Sequence, residues 1–171
     1  MKDRRMSPIP VLVILFVNVS FIEAECLRGW LHFEKSCYFL GTTHKTWADA
    51  SSFCRAFHSE LATITSLEEN NFLADNIAKI KGGLTRSIDY DFWIDGTDEV
   101  VEGLWVWAST GKPLTYKNYA PNQVNPNADR RENCLEMVQW DDHIGQWNDD
   151  VCTDEEYFIC EMELPASSIV G

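Results

Sequence analysis

The chain has no apolar run long enough to span a bilayer. The longest, PVLVILFV at residues 10–17, falls well short of the roughly 20 residues a membrane helix needs. Basic residues are scarce, with 14 Lys and Arg against 27 Asp and Glu and a net charge of −13. That balance disfavours nucleic acid and anionic membrane surfaces as partners and favours a cation, a basic protein or a neutral ligand. Catalytic signatures are missing as well: there is no G-x-S-x-G, no H-E-x-x-H and no glycine-rich phosphate loop. His32, His44, His58 and His143 have no acid or nucleophile at a recognisable spacing, so the chain does not read as an enzyme. It also lacks C-x-x-C pairs, internal repeats and low-complexity tracts, which argues against zinc and repeat architectures.

The first residues have the pattern of an export signal. A basic start, MKDRR, precedes the short apolar core, and FIEAE offers a small-residue cleavage point after Ala24. Residues 1–24 are therefore expected to be a signal peptide, and the mature protein to be secreted and extracellular. Cleavage would remove three basic and two acidic residues, moving the net charge from −13 to −14. The only glycosylation sequon, at Asn18, lies in that leader. The remaining chain is long enough for one domain with a sizeable core. All six cysteines, Cys26, Cys37, Cys54, Cys134, Cys152 and Cys160, fall in the mature part. An even count in an exported chain reads as three disulfides, though spacing alone leaves fifteen pairings open.

Cys26 and Cys37 bracket WLHFEKS, whose alternating apolar residues predict a short hairpin. Thr46 with Asp49 three residues on reads as the start of a helix with Trp47, Ala50, Cys54 and Phe57 on one face, Cys54 pointing into the core. Ser66 with Glu69 opens a second helix of about four turns. Its stripe is Leu67, Phe72, Leu73, Ile77 and Ile80, and its stop is Gly82-Gly83. From Phe92 onward the runs DFWIDG, LWVWAS, CLEMVQW and YFICEM read as strands. They are separated by a loop-rich stretch from Gly111 to Asn133, a length that in a compact domain usually signals function. The fold class is α+β, with a domain over residues 25–164 and a short tail at 165–171.

Three clusters of acids and amides occupy the second half: TDEVVEG with Asp98 and Glu102, QVNPNADRREN with Gln123, Asn125, Glu132 and Asn133, and WNDD with Asn148, Asp149 and Asp150. Calcium takes six to eight oxygen ligands from such groups in flexible loops. The EF-hand pattern is absent, so a site would have to be assembled from segments distant in sequence.

These residues resemble a C-type lectin-like domain over Cys26 to Glu161. The carriers are FWIDG at 92–96, EGLWVWASTG at 102–111, ENC at 132–134, WNDDVC at 147–152 and FICE at 158–161. The resemblance is to the family's long form, as found in secreted invertebrate single-domain lectins. It implies two helices and two small antiparallel sheets with a long ligand-binding loop, and disulfides Cys26–Cys37, Cys54–Cys160 and Cys134–Cys152.

It further implies Ca2+ as cofactor. The sugar-binding calcium site would comprise Gln123, Asn125, Glu132, Asn148 and Asp149. An accessory site would draw on Asp98, Glu102, the shared Glu132 and the carbonyl of Asn133. Trp147 is expected to be a core or loop anchor, and Asp150 to be solvated. The family's usual loop triplet is Glu-Pro-Asn or Gln-Pro-Asp, whereas this chain has Gln123-Val124-Asn125. A second register, Asn125-Pro126-Asn127, keeps the proline. In the first register the peptide before Val124 is expected to be trans, and Val124→Pro combined with Gln123→Glu is expected to strengthen mannose binding. Two amides leave only Glu132 and Asp149 charged, so calcium affinity is expected in the extracellular range of about 0.1–1 mM.

The implied function is calcium-dependent lectin activity toward mannose- or galactose-type carbohydrate on cell surfaces, in innate recognition, with a homo-oligomer compatible with it. The alternative is a non-sugar interaction protein that binds a protein partner or a calcium mineral matrix.

Overall fold

The computed structural model describes residues 25–81, 90–124, 131–140 and 143–164. The proposed leader, the Gly82-Gly83 stop, Asn125 with the alternative Asn125-Pro126-Asn127 register, and the tail lie outside the described residues. An N-terminal hairpin, β1 (Leu31–Phe33) and β2 (Ser36–Leu40), turns through Glu34 and pairs Leu31 with Tyr38. Two helices follow, α1 (Trp47–Ala56) and α2 (Leu67–Lys81), separated by the two-residue β3 (Glu60–Leu61). Thereafter come β4 (Phe92–Thr97), β5 (Val106–Trp107), β6 (Lys112–Pro113), β7 (Glu132–Met137), β8 (Trp147–Val151) and β9 (Tyr157–Glu163).

Both helices start where their capping residues lie. Thr46 accepts a hydrogen bond from the Asp49 N–H at 3.2 Å and Ser66 from the Glu69 N–H at 3.1 Å, each satisfying a donor that has no partner within the helix. Glu69 does not complete the box through its side chain. Its Oε2 instead takes the Thr65 N–H at 2.8 Å, while Oε1 takes the Tyr38 hydroxyl at 2.6 Å. Leu67, expected on the apolar stripe, is 53% exposed, whereas Leu73 and Ile77 are buried. Leu67 stands at the first helical position.

One group of strands (β1, β2, β3) gathers on β9 and another (β5, β6, β7, β8) on β4; the two groups meet where β4 and β9 run parallel, Phe92 beside Tyr157 and Trp93 beside Phe158. Every residue of β4 is buried, Asp95 and Thr97 included. Its period-two alternation splits the core. Phe92 and Ile94 join Leu73, Ile77, Leu135, Met137 and Trp147 in one cluster, and Trp93 joins Ala50, Cys54, Leu61, Phe158 and Cys160 in the other.

Gly96 is required by this packing, since a Cβ there would lie 2.4 Å from Leu135 Cδ1. The disulfides are Cys26–Cys37, Cys54–Cys160 and Cys134–Cys152, as implied by the resemblance. The second ties α1 to β9 across 106 residues, and the third ties the ends of the β7–β8 ribbon.

Candidate calcium and carbohydrate site

WNDDV forms strand β8. β8 pairs antiparallel with β7, setting Met137 opposite Trp147, Glu136 opposite Asn148 and Leu135 opposite Asp149. Polar residues of low strand propensity are held extended by pairing with an apolar neighbour, a case of tertiary context overriding local preference.

Trp147, fully buried, anchors this strand. Its indole N–H donates to Asn70 Oδ1 at 2.8 Å. Three rings, Trp107, Tyr116 and Tyr119, meet it edge-on at 5.9, 5.5 and 6.1 Å, geometries favoured by the ring quadrupoles. The Gly145 carbonyl accepts from Asn70 and from Asn118, each at 2.9 Å. Gly145 has φ +76°, and a Cβ there would meet Ala74 at 2.7 Å. The turn before β8 is thus fastened to α2 through Asn70 and to the long loop through Asn118.

Strand alternation sends Asn148 and Asp149 to opposite faces. Asp149 Oδ1 accepts the Val124 N–H at 2.9 Å, drawing the long loop against the ribbon. Burial raises the Asp149 carboxyl above its usual range, and the Val124 N–H partly offsets this; Glu102 and Asp150 raise it further. Asp98 is raised for the same reason, with Gly103 N–H opposing and Glu102 and Asp149 adding repulsion. Asp98, Glu102 and Asp149 therefore share one electrostatic neighbourhood, a circumstance a cation would relieve.

Asp98 is buried, and only one of its oxygens has a partner: Oδ2 takes the Gly103 N–H at 2.7 Å, and Oδ1 is buried with none. Asn148 is similar. Its amide N–H donates to Glu136 Oε1 at 2.8 Å, while its own Oδ1 is buried without a partner.

Glu132 is half-buried at the start of β7, opposite Val151. Asn133 accepts at its carbonyl from the Thr97 hydroxyl at 2.8 Å and the Asp98 N–H at 3.3 Å. Gln123 is exposed, and its N–H donates to the Ala120 carbonyl at 3.1 Å. The described peptides are all trans, the Gln123–Val124 bond included. Val124 sits at φ +54°. A proline there could not take that φ and would lose the N–H bound to Asp149, which removes the physical basis for expecting Val124→Pro to strengthen binding. Asp150 is half-buried and accepts from its neighbour Val151 N–H at 2.7 Å.

Glu136 was not legible as a participant. It is 2% exposed, with its carboxyl raised well above the ordinary range by burial and then by Asp91. A lone acid between Leu135 and Met137 in an apolar run was the available signal, because an acid is almost never buried without a specific partner.

The donor set is oxygen-rich, and Asp98 Oδ1 and Asn148 Oδ1 are buried acceptors still to be satisfied, so these residues fit a hard cation. Among the described residues no three His, Cys, Asp or Glu side chains stand close enough to enclose a metal by themselves. The two observations are compatible, because calcium also uses amide and carbonyl oxygens and Asn125 lies beyond the described part of the loop.

The Lectin C-type domain family model matches residues 43–162. The chain belongs to the C-type lectin family. Members of this family are carbohydrate-binding proteins rather than enzymes, and this C-type lectin domain is not an enzyme. It is 33% identical to perlucin of Haliotis laevigata over 81% of this chain and 83% of perlucin. To the low affinity immunoglobulin epsilon Fc receptor of Mus musculus it is 33% identical over 84% of this chain, spanning only 41% of the receptor. Among solved structures, the mouse scavenger receptor C-type lectin carbohydrate-recognition domain aligns with TM-score 0.68 and 31% identity over 84% of this chain and 100% of that one. A calcium-independent type II antifreeze protein aligns with TM-score 0.68 and 26% identity over 83% and 97% of the two chains. C-type lectin domains generally bind calcium, and among the described residues no helix is long and apolar enough to cross a membrane.

Proposed function

We propose that the protein is a secreted lectin whose carbohydrate binding depends on calcium. Cleavage follows Ala24, the working domain spans residues 25–164, and the targets are terminal mannose- or galactose-type sugars on cell surfaces in innate recognition. The observation that carries this reading is Asp98 Oδ1, buried and unpartnered, in the same electrostatic neighbourhood as the Asp149 carboxylate that clamps the long loop. Asp149, Glu132 and Asn148 supply the ribbon's ligands, and Gln123 and Asn125 those of the loop. Asp98 and Glu102 hold an accessory ion, with Asn133 held against them by its carbonyl.

Calcium bound there would accept vicinal sugar hydroxyls, while the amide and carboxylate ligands give and take the hydroxyl hydrogen bonds that select stereochemistry. A single such site binds weakly, and self-association would raise avidity. Immobilised mannose and galactose, run with millimolar calcium and then with chelator, test the reading. Retention released by chelator is expected on at least one of them, and passage through both in calcium rejects it.

The second reading is a non-sugar partner, a protein or a calcium mineral. It is favoured by the two amides at 123 and 125 in place of the usual acid, together with the likeness to a calcium-independent antifreeze protein. Calcium-independent retention by a protein or by calcium carbonate, with no sugar retention, would favour it.

A further inference from the structure

Asn148 stands opposite Glu136 across the β7–β8 ribbon, a register that puts two side chains on one face within reach of each other. The Asn148 amide donates to Glu136 Oε1 at 2.8 Å, and its own Oδ1 is buried without a partner. The backbone around this pair has little freedom. Trp147, the preceding residue, is fully buried and bonded to Asn70, and the Cys134–Cys152 disulfide closes the ribbon. What remains open is the orientation of the amide, whose two ends are alike in shape and opposite in hydrogen-bonding character.

That orientation decides whether Asn148 can hold a cation. With Oδ1 turned to Glu136 two acceptors would meet, and the NH2 group, a pair of donors, would be left for the ion. A carboxyl at 136 selects the other arrangement, because Oε1 accepts from the amide whether or not Oε2 carries a proton. Glu136 is 2% exposed, so bulk water has little access to compete for the bond. Burial, Asp91, Asp150 and Glu156 oppose ionisation of this carboxyl, and the Asn148 N–H favours it.

We infer that Glu136 is a positioning residue for calcium: as a hydrogen-bond acceptor it holds the Asn148 amide with the nitrogen toward β7 and Oδ1 free for the ion. The inference rests on the reading above that Asn148 is a calcium ligand, and deepens it. Groups bonded to a metal ligand fix its orientation, and removing one lowers metal affinity by roughly ten- to a hundredfold.

Calcium is titrated calorimetrically into the full chain and into two variants. Glu136→Leu, which fills the space without an acceptor, is expected to weaken calcium binding about tenfold or more. Glu136→Gln, whose Oε1 can still accept, is expected to recover most of that loss. A third measurement needs neither variant: in the unaltered chain held in chelator, nuclear magnetic resonance is expected to show the Asn148 side-chain amide protons exchanging slowly with solvent.

Equal calcium affinity in Glu136→Leu and the unaltered chain would overturn the assignment while leaving the calcium site intact. A loss in Glu136→Gln as large as in Glu136→Leu would overturn it too, because charge rather than the acceptor would then be at work. Freely exchanging Asn148 amide protons in chelator would show that the amide is not held, with the same consequence. No calcium uptake by the unaltered chain would overturn the calcium reading and this inference with it.

Discussion

Two groups of acids, each built around a buried one, Glu69 and Asp98, sit in different parts of this domain. Around Tyr38, Glu69 and Glu161 are fully provided for. Glu161 Oε2 takes the Thr63 N–H and hydroxyl at 2.9 and 3.0 Å, and its Oε1 takes Ser36 at 2.8 Å and lies 3.2 Å from the Tyr38 hydroxyl. Glu69 takes Tyr38 at 2.6 Å and Thr65 through both N–H and hydroxyl. Beside the long loop the pattern is reversed. Asp98 and Asn148 each keep a buried oxygen without a donor, and the carboxylates of Asp98, Glu102 and Asp149 repel one another. Burying an acceptor without a donor costs about 1–3 kcal/mol. The first group is satisfied from the fold's own side chains, and the second is the one on which the proposed ion would act.

The strongest way to break this contrast is Asp149→Ala. Calcium affinity, read by titration calorimetry, is expected to fall at least a hundredfold, about 2.7 kcal/mol, while the melting temperature in chelator stays within a few degrees or rises. An unchanged calcium affinity would take Asp149 out of the site.

Glu161→Gln is expected to do the converse. Its amide would present N–H groups where Thr63 or Ser36 now donate, lowering stability by about 1–3 kcal/mol, with calcium affinity unaltered. A parallel loss of calcium affinity in that variant would show that the two groups are coupled and the contrast false.

A smaller effect separates satisfied from ionised. Asp95 receives the Ser109 N–H and hydroxyl at 2.9 and 2.6 Å, yet burial pushes its carboxyl up to about 6, with Glu60 and Glu161 adding repulsion. The folded chain then holds a proton more tightly than the unfolded chain. Asp95 therefore contributes stability that is complete below about pH 4, the ordinary Asp range, and is lost as pH rises through about 6. In chelator, the melting temperature of Asp95→Asn is expected to lose that part of the decline. An identical pH profile for both proteins would show that Asp95 does not titrate there.

Much of this was legible because it is local. The caps at Thr46 and Ser66 act within one helical turn, and the short apolar and aromatic run in DFWIDG reports a strand whatever packs on it. Glu69 shows where that stops. Its place three residues after Ser66 predicted a helix start, yet its carboxylate turned to Tyr38 and Thr65, one of them 31 residues away. WNDDV was legible as a set of oxygen donors but not as a strand, because its extended form depends on β7. Leu67 matched the helical stripe and is exposed, since periodicity identifies a face but not how far along it the burial reaches.

By itself the sequence determined the C-type lectin family, the two capped helices, the short apolar strands and the inventory of oxygen donors near the long loop. These depend on residue types at short, fixed spacings. Only the tertiary structure decided which oxygens remain without partners. It sent Asn148 toward Glu136 and Asp149 toward Val124, engaged the Asn133 carbonyl with Thr97 and Asp98, and set three apolar side chains in water beside Asp98. The reason is that hydrogen-bond satisfaction belongs to pairs of groups, and most of the partners here are brought together from segments tens of residues apart.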